Sequence, residues 1–304
     1  MSNSTNSRNV GVIGLGSMGG AMAGTFLREG WNVLGYDPSP EAQRRAGQQG
    51  VTTTSDLSDL AGHDYLLLSL PSAEIVEQAV PVLLARPGTL AIVDTSTSEP
   101  ETSAAMAKLA DSRGAQFIDS PVSGGSSGAA AGTLSAFIGG SDVALTAAQP
   151  VIDVLTGGNY KHIGKAGSGN VVKLLNNMLC SVNLAAVAEA LDVVAAFEID
   201  VDNAIGALNS ATGSSHVSKR MFPDWILSGT FDSGFSMGLM ARDVALALRV
   251  SQEAGTEPNI MATTNELWQQ ALAELGPAAD FTSSTTVFAA SGESWNNGSG
   301  RNAL

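Results

Sequence analysis

A single cysteine, Cys180, excludes an internal disulfide and a thiolate metal cluster in this chain of 304 residues. Lysine is scarce too. Lys108, Lys161, Lys165, Lys173 and Lys219 are the full set, and none stands in a basic run. With 15 Lys and Arg against 29 Asp and Glu, the formal net charge is −14. A groove that follows phosphates needs clustered cations, so no nucleic-acid partner is expected. Aromatic residues make up 5%, which leaves Ala, Val, Leu and Ile to build the core. Uninterrupted apolar runs of about 18 residues are missing. So is an apolar signal-peptide core in the polar stretch from Met1 to Asn9. The expectation is a soluble, cytoplasmic protein with no membrane partner. His63, His162 and His216 lie far apart, and no metal site is expected.

What the chain does have is apolar surface, at 44% hydrophobic residues, and 34 glycines. That is ample for a core, and this length divides into about two domains. In the first half, short apolar runs alternate with helical stretches: Val10–Ile13, Asn32–Tyr36, Tyr65–Leu70, Thr89–Val93, Ala115–Ile118 and Leu134–Ile138, with a helix over Ala21–Glu29. Continuous apolar strands between helices predict an α/β Rossmann-type doubly wound parallel sheet, covered on both faces, over residues 1–166. From Ser168 to Glu198 the chain has neither Pro nor Gly after Gly169, which predicts one helix of about 45 Å. It is too long for a crossover, and Lys173, Asn176, Asn177, Asn183, Glu189 and Asp192 argue against a membrane span. It is read as a central inter-domain helix. Asp202–Thr212, Trp225–Leu227, Met237–Ala254 and Ile260–Leu275 predict further helices, so residues 167–291 should form an all-α substrate and oligomerisation domain. The tail 292–304 is polar, Gly-rich and expected to fray.

Gly14-Leu15-Gly16-Ser17-Met18-Gly19 follows the first strand and opens a helix. A lone G-x-G-x-x-G is weak, but strand, turn and helix in register sharpen it. The first glycine makes the turn, the second admits a pyrophosphate, and the third packs helix on strand. Asp37 ends the second strand, where a carboxylate accepts the hydroxyls of an adenosine ribose. A 2′-phosphate would be repelled there, and the nearest arginines are Arg44 and Arg45, so NAD is expected over NADP. Leu70-Pro71 and Ser96-Thr97 follow two other strands, and loops at carboxyl ends of strands line the cofactor crevice. A hydroxyl there equally serves as a helix cap.

Lys173 and Asn177 are four residues apart and share one face of the long helix, in a stripe with Asn170 and Ser181. At an ordinary pKa of about 10.4 the lysine is a cation. It can stabilise charge growing on a carbonyl oxygen during hydride transfer and then donate a proton. In the oxidation direction the neutral amine accepts the hydroxyl proton, so activity should rise toward alkaline pH. From spacing alone, a lysine snorkelling from a helix surface fits as well. Ser123-Gly124-Gly125 follows another strand end and can hold a carboxylate by its hydroxyl and backbone N–H groups, or be a plain turn.

Together, Gly14–Gly19, Asp119–Gly125 (DSPVSGG), Gly164–Gly169 leading to Lys173 and Asn177, and Arg242-Asp243 make the chain resemble the β-hydroxyacid dehydrogenase family, which includes 3-hydroxyisobutyrate dehydrogenase and tartronate semialdehyde reductase. The likeness runs from about Asn9 to Phe288. It implies Lys173 as the catalytic acid/base and Asn177 as a substrate-positioning residue. Ser123, Gly124 and Gly125 would bind the substrate carboxylate. Arg242 would approach the nicotinamide where the family usually has Lys, a departure that changes a point charge into a planar fork. The long helix and the resemblance imply a homodimer or homotetramer. The function expected is an NAD-dependent oxidoreductase interconverting a small 3-hydroxy carboxylic acid and its semialdehyde or keto acid. Two rivals share the fold: an imine reductase, disfavoured by Lys173, and a catalytically silent NAD-binding protein, disfavoured by Lys173 with Asn177. Gly124–Gly128 also reads as G-x-S-x-G, but Pro121 upstream argues against a hydrolase elbow.

Overall fold

A computed structural model describes residues 8–289; the polar tail expected from residue 292 lies outside them. The chain forms two compact units that divide between Lys173 and Leu174. That division falls inside the long helix, whereas composition suggested 166/167, ahead of it.

The first unit holds a mixed sheet. Its strands are β1 (Asn9–Ile13), β2 (Asn32–Tyr36), β3 (Thr52–Thr54), β4 (Tyr65–Leu68), β5 (Ala91–Asp94), β6 (Gln116–Asp119), β7 (Val122–Ser123), β8 (Ser135–Gly139) and β9 (Tyr160–Gly164). The order β3-β2-β1-β4-β5-β6 is all parallel. It reverses direction of winding between β1 and β4, the switch point of a doubly wound fold. The helices of this unit are α1 (Ser17–Arg28), α2 (Pro40–Gln48), α3 (Ala73–Leu83), α4 (Pro100–Ser112), α5 (Gly125–Ala131) and α6 (Asp142–Thr156). Alternate side chains of each central strand feed opposite cores. Val10, Val12, Leu67, Val93 and Ile118 pack with Met22, Phe26 and Val151 on one face. Ile13, Leu66, Leu68, Ile92 and Phe117 pack with Val76, Val80 and Met106 on the other. A sheet covered on both faces leaves no face for polar residues, so its strands read as unbroken apolar runs.

The expectation of a wholly parallel sheet fails at one end. β8 runs antiparallel to β6 and β7 and parallel to β9. The pairs Asp119↔Gly139, Val122↔Ala136 and Ser123↔Ser135 belong to one register. Thus β6 and β7 are one extended stretch interrupted at Ser120-Pro121, where Phe137 N–H still donates to the Pro121 carbonyl at 3.1 Å. Proline has no N–H for the ladder, so the strand breaks without losing its phase.

The long helix, α7 (Ser168–Ala196), runs from the first unit into the second. In the second unit its residues Leu174, Met178, Leu184, Ala188 and Leu191 are buried against α8 (Val201–Asn209), α9 (Met237–Glu253) and α10 (Asn259–Leu275). Phe222, Trp268 and Phe281 complete this core. Spacing of three and four residues is the stripe expected of a core-facing helix. By length and composition alone α7 is also apolar enough to cross a membrane, at mean hydropathy 1.7. The turn expected at Trp225–Leu227 belongs to a wider π-helix, Val217–Ile226, with Pro223 inside it. A proline that cannot donate favours such a widened turn, and π-turns concentrate at functional sites.

Candidate functional site

The turn between β1 and α1 shows why its three glycines differ. Gly14 has φ of +91°, and a Cβ there would lie 2.2 Å from the Ser69 carbonyl oxygen at the end of β4. A Cβ on Gly19 would lie 1.9 Å from the Gly14 carbonyl oxygen, so this residue sets how closely helix meets strand. A Cβ on Gly16 would meet nothing within 4 Å. Gly16 therefore leaves open space over the first turn of α1, where it is also the N-cap residue ahead of Ser17 and Met18. Open space against a ring of amides and a positive helix end is what a pyrophosphate requires. The residues fit a dinucleotide.

Asp37 does more than the sequence suggested. Its Oδ2 accepts the Leu15 N–H at 2.8 Å and its Oδ1 the Ser39 N–H at 2.8 Å. The carboxylate thus ties the glycine turn to the end of β2, and each oxygen keeps a lone pair for a ribose hydroxyl. At the ends of β4 and β5, Leu70 N–H donates to Ser96 Oγ at 2.9 Å, which joins the two loops. Ser96 is buried, Thr97 half-buried and Pro71 exposed.

Two buried aspartates stand beside one another in the β5–β6 register. Asp94 is fully buried. Its Oδ1 accepts the Ser96 N–H at 2.9 Å, and its Oδ2 has no hydrogen-bond partner among the described residues. Burial pushes its pKa up to about 7, against the pull of the Ser96 hydrogen bonds and with a further push from Asp119. Burial also raises Asp119, although the N–H groups bonded to it pull the other way. Asp119 Oδ1 accepts the Gly167 N–H at 2.7 Å and Oδ2 the Asn170 N–H at 2.9 Å. Neither aspartate was singled out by itself in the sequence. The available signal was an acid closing an apolar strand, AIVD and QFID.

Ser123 closes β7, half-buried, with Gly124 and Gly125 exposed beyond it at φ of +128° and +63°. Only glycine holds two successive residues there without strain, and the N–H groups of such a turn form an anion-binding concavity. Lys173 is half-buried in α7. One turn further along the helix, Asn177 is buried, and its Nδ2 donates to Asp243 Oδ2 at 2.8 Å. Asp243, itself buried, takes Arg242 Nη2 at 2.8 Å and Nε at 3.1 Å on its other oxygen. Arg242 is half-buried and has this fork engaged with its neighbour, a contact that no spacing rule anticipates. Ser181 donates to the Asn177 carbonyl at 2.9 Å. Among the described residues, no three His, Cys, Asp or Glu gather as metal ligands.

Residues 9–164 match the family model described as the NAD binding domain of 6-phosphogluconate dehydrogenase. Residues 167–288 match that described as NAD-binding of NADP-dependent 3-hydroxyisobutyrate dehydrogenase. The 2-(hydroxymethyl)glutarate dehydrogenase of Eubacterium barkeri is 36% identical over 256 residues, covering 83% of each chain. The chain belongs to the β-hydroxyacid dehydrogenase family. Among solved members of this family, the 3-hydroxyisobutyrate dehydrogenase of Mycobacterium tuberculosis, solved with L-serine, matches at TM-score 0.85 and 29% identity, over 92% of this chain and 98% of that one. An imine reductase of Bacillus cereus shares the fold more distantly, at TM-score 0.61 and 23% identity, over 92% and 98%. As a member of the β-hydroxyacid dehydrogenase family the chain is a nicotinamide-dependent oxidoreductase acting on the CH–OH group of a small hydroxy acid.

The buried carboxyl of Asp94 gives a stability prediction. With a folded pKa near 7 and an ordinary value near 3.8, the folded state holds a proton that the unfolded state releases between those limits. The stabilisation is complete below about pH 4 and is lost as pH rises to about 7. Urea unfolding of wild type and Asp94→Asn should therefore diverge with rising pH, wild type losing up to a few kcal/mol relative to the variant. A difference that stays flat from pH 4.5 to 7.5 would show that Asp94 ionises normally.

Proposed function

We propose that the protein is an NAD-dependent dehydrogenase that interconverts a small 3-hydroxy carboxylate and its semialdehyde or keto acid, with Lys173 as proton donor and acceptor. The observation that carries this reading is the pairing of Lys173 with Asn177 one turn apart on α7, the Asn177 amide being oriented by buried Asp243. When bound, the nicotinamide supplies the hydride acceptor for oxidation and the donor for reduction. Everything else falls to the chain. The Ser123 hydroxyl and the Gly124 and Gly125 N–H groups hold the substrate carboxylate. The neutral Lys173 amine accepts the proton of the substrate hydroxyl during oxidation, and the ammonium returns it during reduction. Asn177 orients the reacting oxygen. Lys173 also favours a dehydrogenase over an imine reductase, whose likeness here extends to fold alone.

Lys173→Ala should lower turnover by about 10²- to 10⁴-fold, while fluorescence titration with NADH shows nearly unchanged cofactor binding. The assay is a panel of 3-hydroxy acids with NAD, followed at the reduced-nicotinamide absorbance. Full activity in the variant would sink the mechanism.

The choice of NAD over NADP rests on Asp37, a carboxylate at the end of β2 that would repel a 2′-phosphate. Because Asp37 also holds the Leu15 N–H, Asp37→Ser with Pro38→Arg should weaken both cofactors while raising the NADP to NAD ratio of kcat/KM. An unaltered ratio would mean that the ribose is read elsewhere.

A stripe on α7 supports self-association. Leu179, Ala186, Ala190 and Val193 are all exposed, and at 100° per residue they fall on one side of the helix, with exposed Phe197 just past its end. A second copy of the chain is the occupant we propose for it. Light scattering should give a dimer or tetramer of the 30.9 kDa chain, and a species of monomer mass alone would contradict this.

A further inference from the structure

The residue ahead of α7 is Gly167, which has no side chain to cap it. The donors of its first turn are met from across the unit, by the carboxylate of Asp119 at the end of β6, which takes the N–H groups of Gly167 and Asn170. The backbone is shaped to let that carboxylate in. A Cβ on Gly169 would lie 2.8 Å from Asp119 Oδ2 and 2.2 Å from the Phe137 carbonyl oxygen. A Cβ on Gly139, across the ladder in β8, would lie 2.4 Å from Asp119 Oδ1. Gly167, at φ of +93°, brings the chain so near α4 that a Cβ would lie 2.6 Å from the Pro100 carbonyl oxygen. The spacing Gly164, Gly167, Gly169 is therefore the imprint of a helix end pressed into the sheet.

Asn170 makes a second attachment from the helix side. Its Oδ1 accepts the Ser98 N–H at 3.1 Å and its Nδ2 donates to Ser103 Oγ at 2.9 Å. Asn170 and Ser103 are both fully buried. Ser98 sits in the loop that carries Ser96 and Thr97, and Ser103 lies in the first turn of α4. One amide thus bridges the loop read as touching the cofactor and the helix that carries Lys173 three residues later. A buried amide with both ends bonded, beside a carboxylate with both oxygens bonded, has a single well-defined arrangement.

We infer that Asp119 and Asn170 are positioning residues for the reaction: they fix the first turn of α7 to the sheet and to the Ser96–Ser98 loop, and so set where the Lys173 amine meets the substrate oxygen. This rests on the reading of Lys173 as the proton-handling group. Neither residue touches substrate. A carboxylate is suited to the task because two N–H groups directed at one group need two acceptors, and charge at a helix N-terminus strengthens both bonds. Asparagine at 119 would supply one acceptor and turn a donor toward an N–H. Serine at 170 would leave the Ser98 N–H and Ser103 Oγ without their partner.

The experiment uses the full-length protein carrying Asp119→Asn or Asn170→Ser, with wild type and Lys173→Ala in parallel. Each is measured for kcat and KM with the best hydroxy acid, for the Kd of NADH by fluorescence, for the pH dependence of kcat/KM, and for the thermal midpoint. Displacement of a catalytic group by about 1 Å costs on the order of 100-fold. The expected result is a fall in kcat of at least about tenfold, a displaced basic limb of the pH profile, and a Kd for NADH within about twofold of wild type. If a variant loses only thermal stability, and its folded fraction keeps the wild-type kcat and pH profile, the two residues are merely structural and the inference fails. Should Asp119→Asn not fold, Asn170→Ser decides alone. Full turnover by Lys173→Ala would remove the reading of Lys173 itself; an inactive Lys173→Ala beside unaltered Asp119 and Asn170 variants would overturn the positioning claim only.

Discussion

A buried carboxylate that, among the described residues, faces backbone N–H groups and no cation is the contact around which the first unit is arranged. Asp119 is fully buried and bonded to Gly167 and Asn170. Burying an ion costs several kcal/mol unless its lone pairs are met, so every chain segment that surrounds it must arrive with a donor or without a side chain. Gly139 and Gly169 meet the second condition. The close β6–β8 pairing at Gly139 and the entry of α7 at Gly169 both accommodate that one group. A 29-residue helix begins where it does because a strand end supplies what its own first turn lacks.

Along the same carboxyl edge of the sheet, the turn after β1 solves a related problem with the reverse logic. At the β1–α1 turn the N–H groups face open space, and Gly16 keeps that space clear. One helix start is closed by an internal anion and the other is left for an external one. Asp37 serves the open turn, accepting the Leu15 and Ser39 N–H groups and keeping a lone pair on each oxygen. The net charge of −14 makes such local donors necessary, because an anionic cofactor and an anionic substrate have little long-range attraction to exploit.

Much of this was legible in the residues, and unevenly so. The central strands were plain because a sheet covered on both faces demands YLLL and AIVD, whereas β9 (YKHIG) was not, its Lys161, His162 and Ile163 being exposed. The antiparallel end was hidden because Ser120-Pro121 reads as a loop, although the register runs straight through it. The helices of the second unit were legible from periodicity, but a proline inside a helical run gave no sign that the result would be a π-helix. Among site residues, the glycine turn and Asp37 were found by motif, and Lys173 with Asn177 by helical spacing. Asn170 was placed by the same spacing, but its bonds to Ser98 and Ser103, like Asp94 and the Asn177–Asp243 bond, could not be found that way, for a lone Asp or Asn carries no mark of whether it ends up in water or in a core. Arg242 shows the same limit: its departure from the usual lysine was visible, while its engagement with Asp243 was not.

Pro121 interrupts the strand without shifting its register. Since Asp119, Val122 and Ser123 keep one phase against β8, the segment from Gly124 to Thr133 closes a hairpin whose two arms are aligned independently of what joins them. The ladder itself thus aligns the two arms, while the segment that joins them is held separately by its packing on α1, where the Thr25 hydroxyl donates to the Ala129 carbonyl at 2.7 Å.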